Sequence, residues 1–136
     1  MNQAVSTLAE LKTFAITNTL RSCQLFTGLP PADLENIAAV TVVKSLAKDD
    51  YLFHEGDPAQ GFYVVQHGAV NVHRVTAAGK EQIIHVFRTS DSFAEVALAS
   101  ATGYPADARV LEPTQVLLVQ KAGFLGLLKR QPELAL

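Results

Sequence analysis

Cysteine occurs once in this chain, at Cys23, and tryptophan not at all. A single thiol cannot close an internal disulfide, and it excludes the four-cysteine sites of structural zinc and of iron–sulfur clusters. Nothing points to an oxidising compartment, so the cytoplasm is the expected location. Charge is also scarce: charged residues make up 18% of the 136, with a formal net charge of -2. Affinity for DNA grows with the number of cations set against phosphates, so this segment is not expected to bind nucleic acid itself. Long apolar runs are missing too. The longest, at 116–119 and 124–128, fall far short of the roughly 20 residues a membrane helix needs. Residues 1–14 carry Glu10 and Lys12 and lack a basic start followed by an apolar stretch, so they do not read as a signal peptide. No membrane partner is expected.

What is present suits one globular domain, because apolar residues reach 49%. The expected division is a helical start over 1–40, a β-roll over 41–120 and a helical end over 121–136. Val5, Leu8, Leu11, Ala15 and Leu20 fall on one helical stripe, with Thr7 and Glu10 placed for a capping box. Pro30 and Pro31 stand at the entrance of a second helix whose Leu34, Ile37 and Ala38 share a face. After Val40 the period changes to two. About seven strands follow without helices between them: 41–47 leading into 51–57, then 62–66, 69–75, 81–87, 107–111 and 115–120. Turns are expected at Gly56, Gly68 and Gly79, where glycine tolerates positive φ. The class is mainly β with flanking helices, a double-stranded β-helix or jelly roll. From Lys121 a helical spacing returns in Phe124, Leu127 and Leu128, and Pro132 opens another apolar start at 134–136. A helix of that length gains nothing by itself, so the natural chain is expected to continue.

Several of these pieces, in this order, resemble the cyclic-nucleotide-binding fold, and specifically the sensor half of the CRP/FNR superfamily of transcription regulators. They are Gly56, Asp57 and Ala59; 62–65; Gly68 and Val70; 79–81; Phe93, Glu95, Ala97 and Leu98; 111–114; and Phe124. The resemblance implies a dimeric regulator with a small-molecule effector, a long dimer helix and a DNA-binding domain beyond residue 136. It also implies that 93–98 forms a phosphate-binding cassette, in which backbone N–H groups face the anion, a glutamate takes the ribose hydroxyl and an arginine neutralises the phosphate. Glu95 stands at the glutamate's place, and reads equally as a helix-start residue stabilised by the dipole. Ala94 replaces the glycine before it, and no arginine occupies the phosphate position in 101–108. Arg109 comes too late, and alternation turns it to solvent. The expected pocket, formed by His85, Phe93, Ala94, Glu95, Val96, Ala97, Pro105, Ala106 and Asp107, is apolar with added negative charge, unsuited to cyclic AMP or GMP.

The superfamily includes haem-based sensors, and the apolar cassette most resembles the nitric-oxide-responsive regulators of denitrification. Haem needs an axial donor, for which only His85 or Cys23 qualifies. His85 is expected on a strand apolar on both faces, as a buried neutral histidine in preference to a ligand. His54, His67 and His73 are expected at turns or on a solvent face. Three rival readings differ in class. A cupin-like metal enzyme needs clustered histidines, which the spacing 54, 67, 73 and 85 does not supply. Nucleophilic catalysis by Cys23 lacks a neighbouring base. A regulatory domain tethered to a channel, transporter or kinase would need an effector segment ahead of the short first helix. No enzymatic activity is expected.

Overall fold

The computed structural model describes residues 3–134, the side chains of 3–6 and 133 excepted. Helix α1 (Gln3–Ser22) begins before Thr7, so Thr7 and Glu10 lie in its interior and form no capping box. Its buried face keeps only Leu20 of the predicted stripe, Ala15 being exposed. Leu8 and Leu11 are exposed, and Ile16, Thr17 and Leu20 carry the contact, followed by Cys23 beyond the helix. The first half of α1 stands clear of the sheets, which removes the reason for its apolar positions to face inward. Val5 lies outside the described side chains. A short 3₁₀ turn (Gln24–Phe26) leads to α2 (Pro31–Ala38), which starts with proline at its first position and buries Leu34, Ile37 and Ala38 as expected.

Eight strands follow: β1 (Thr41–Leu46), β2 (Tyr51–Phe53), β3 (Gly61–His67), β4 (Ala69–Val75), β5 (Glu81–Arg88), β6 (Ser92–Phe93), β7 (Asp107–Val110) and β8 (Thr114–Gln120). They form two four-stranded antiparallel sheets, β1-β8-β3-β6 and β2-β7-β4-β5, the jelly roll that the pattern predicts. The two-residue β6 escaped the period-two reading because it is too short to alternate. Gly68, between β3 and β4, has φ +111, and a Cβ there would collide with the side chain of Thr114.

Strand β3 explains how two cores share one sheet. Phe62 and Val64 face the helices, where they join Leu20, Phe26, Ile37, Leu117 and Phe124. Tyr63 and Val65 face the roll interior with Phe53, Val70, Phe93, Tyr104, Ala108 and Val116. A strand covered on both faces reads as a continuous apolar run, which is what F-Y-V-V is. Helix α3 (Lys121–Arg130) closes the first core through Phe124 and Leu127. Beyond it, Pro132–Leu134 forms a 3₁₀ turn that returns Leu134 to the core. Ala135 and Leu136 lie outside the described residues.

Candidate functional site

The segment 93–108 crosses from one sheet to the other. Phe93 ends β6 inside the roll, and Ala94 then adopts a left-handed conformation, φ +69 and ψ +17. That conformation aims the chain into a 3₁₀ turn (Glu95–Leu98), and it is one in which glycine is at ease and alanine is strained. The side chains divide at this point. Ala97 enters the roll core, Val96 is 73% exposed, and Glu95 turns toward the helical side, lining a cavity with Leu25, Phe62, Leu98, Phe124 and Leu128. Burial pushes the Glu95 carboxyl above its ordinary value, offset in part by its own backbone N–H. Its Oε1 atom is buried without a hydrogen-bond partner.

The interior of the roll is filled by rings. Phe53 stacks on Tyr104 with centroids 3.7 Å apart, Tyr63 on Phe93 at 5.4 Å, and Phe87 on Phe93 at 5.0 Å. Tyr104 is fixed at its far end, where its hydroxyl donates to the Gly61 carbonyl at 2.9 Å and accepts from the Gln60 N–H at 3.1 Å. Gly103 makes this possible: it has φ +83, and a Cβ there would strike the Asp57 carbonyl. Sequence reading missed this cluster because Phe53, Tyr63 and Tyr104 are far apart in the chain. Pro105 is exposed, and Ala106, only 2% exposed, is packed inside.

Strand parity separates Ala106 from Asp107. Ala108 and Val110 face the interior, so Asp107 and Arg109 share the outer face of the sheet with Tyr51, Asn71 and His73. Asp107 accepts the Glu55 N–H at 2.6 Å and lies 3.8 Å from His73, so its charge is not at the cassette, contrary to expectation. Arg109 pairs with Glu81 at 3.1 Å on that outer face, away from the cassette as alternation predicts. Burial would lower its affinity for the proton, but Tyr51 and Glu81 outweigh that and raise it. His73 corrects a second expectation: it does lie on the outer face, but at 1% exposure, enclosed by Glu81 at 3.5 Å, Asp107 and the edge of Tyr51. Long side chains from β2, β5 and β7 roof it over. His67 is exposed and bonded to Gln115, and His54 is exposed with its ring stacked on Tyr51.

His85 is exposed, not buried, because β5 is the edge strand and pairs with β4 alone. It lines a crevice of about 180 Å³ with Cys23, Phe87 and Ser92. The structure thus brings together the two candidate haem donors, which the sequence left unconnected. The residues present do not fit the group, however. Besides Cys23, His85 and Phe87 the crevice is lined by polar Gln24, Ser90, Asp91 and Ser92, which do not make the apolar slot a porphyrin needs. The Cys23 thiol is buried, and burial raises it against the hydrogen bonds of Leu25 and Ser92, away from the thiolate that ligates iron. Among the described residues no three His, Cys, Asp or Glu side chains converge as metal ligands, and no helix is long and apolar enough to cross a membrane.

Residues 43–131 match the cyclic nucleotide-binding domain. The chain belongs to that family. Among curated relatives, the cyclic AMP receptor protein of Thermus thermophilus is 25% identical over 116 residues, 85% of this chain and 54% of that protein. The transcriptional activator anr of Pseudomonas aeruginosa is 34% identical over 73 residues, 54% of this chain and 30% of that protein. The sensor domain of the transcriptional regulator DNR from Pseudomonas aeruginosa superposes with a TM-score of 0.80 at 30% identity, covering 90% of this chain and 82% of that one. This cyclic nucleotide-binding domain spans about half the length, or less, of the two curated relatives named above.

Proposed function

We propose that this cyclic nucleotide-binding domain is the effector-sensing domain of a CRP/FNR-type transcription regulator, and that its effector is not a cyclic nucleotide. The observation that carries the reading is Ala106. It is buried, 2% exposed, within the 101–108 stretch where the family resemblance calls for the arginine that meets the phosphate. A phosphate taken out of water without its cation costs about several kcal/mol, a thousandfold or more in affinity. The nearest arginine in sequence, Arg109, is committed to Glu81 on the outer face of the sheet.

The relatives named above include transcription regulators longer than this chain, which supports DNA contact and dimer formation by segments outside it. The cavity beside Glu95 touches both the turn at 95–98 and α3, so a molecule bound there would bias the position of that helix if it favours one arrangement over another. Native mass spectrometry with an absorption spectrum of the protein as purified tests the reading. The expected result is a mass without cyclic nucleotide and a spectrum without a haem band. A stoichiometric cyclic nucleotide surviving purification would overturn it.

A further inference from the structure

The cavity formed by Leu25, Phe62, Glu95, Leu98, Phe124 and Leu128 measures about 280 Å³. Its walls come from the 3₁₀ turn after α1, from β3, from the cassette turn and from α3. A cavity of ~150 Å³ already accepts benzene, so this one takes a single ring with a short substituent. Every lining residue but one is apolar. The exception, Glu95, holds a buried oxygen that has no partner. A buried polar atom without a hydrogen bond is costly, and a ligand that supplies the bond recovers that cost. An ammonium would have to shed its hydration to enter apolar walls, whereas a hydroxyl gives up far less.

We infer that this cavity is a binding site for a compact, neutral, apolar molecule carrying one hydroxyl, whose O–H donates to Oε1 of Glu95. The inference rests on the reading that the effector is not a cyclic nucleotide. It places the ligand on the helical side of the cassette, outside the roll interior.

Three isosteric probes separate the contributions: benzyl alcohol, ethylbenzene and benzylamine, each titrated into the protein while the leucine and valine methyl signals are followed by NMR. Benzyl alcohol should shift Leu25, Leu98 and Leu128 and bind about three- to tenfold more tightly than ethylbenzene, as one net hydrogen bond implies. Glu95→Gln keeps an acceptor and should keep that advantage, and Glu95→Leu should abolish it while ethylbenzene still binds. Leu128→Trp fills the cavity and should abolish binding of both. Equal binding of alcohol and hydrocarbon, tighter binding of benzylamine, or no response at these methyls up to millimolar probe would each overturn the site. Cyclic AMP in the same titration tests the underlying reading separately, since nucleotide binding would instead shift Val65 and Val70 in the roll interior.

Discussion

Phe53 and Tyr104 lie ring on ring, 3.7 Å between centroids and 13° between planes, and so join β2 to the loop that follows the cassette. The Tyr104 hydroxyl reaches on to Gln60 and Gly61. Tyr104→Phe keeps the stack and removes both hydrogen bonds, leaving a buried carbonyl short of one donor. The expected loss is about 1–2 kcal/mol by urea unfolding. Tyr104→Ala also removes the ring and should cost about 3–5 kcal/mol. Equal losses for the two variants would show that the ring contributes nothing.

Ala94 occupies a left-handed conformation at the point where the roll passes into the cassette turn. Glycine there removes a strain of about 1–2 kcal/mol, against an entropy cost in the unfolded chain of about 0.4–1 kcal/mol. Ala94→Gly should therefore raise the unfolding midpoint slightly. A lower midpoint would mean that the cassette does not turn at this residue.

Much of this architecture could be read from the chain. The change of period after Val40 marks the passage from helices to the roll, and Pro31 with Leu34, Ile37 and Ala38 specifies α2, because local spacing and burial agree there. The first half of α1 and the strand at His85 misled for one reason: apolar residues at those positions have no layer above them, which only the sheet order reveals. The short helical turn at 95–98 was legible in the chain, yet the direction of Glu95 was not, since a left-handed Ala94 reverses the chain in a way that no periodicity records. His73 shows the converse. Parity places it on the outer face correctly, but its enclosure by Glu81 and Asp107 depends on strand neighbours 8 and 34 positions away in the chain.

Glu95 gives the domain a pH dependence of defined sign. Burial raises its carboxyl, so the native state holds a proton that the unfolded chain releases. That contribution is fully present below the ordinary value of 4.5 and is lost as pH rises through the raised native value. Relative to Glu95→Gln, the wild type should be most stable in acid and lose ground on moving toward neutrality. Urea midpoints for both proteins from pH 4 to pH 8 measure the difference. A difference independent of pH would place the carboxyl in solvent.

Isothermal titration with cyclic AMP and cyclic GMP tests the central claim most directly. If the proposal that Ala106 stands at the phosphate position holds, then with Arg109 paired to Glu81 neither nucleotide should give measurable heat at micromolar protein. Saturable binding of either one at micromolar affinity would contradict the account, and would require a cation such as Arg109, released from Glu81, to reach the phosphate.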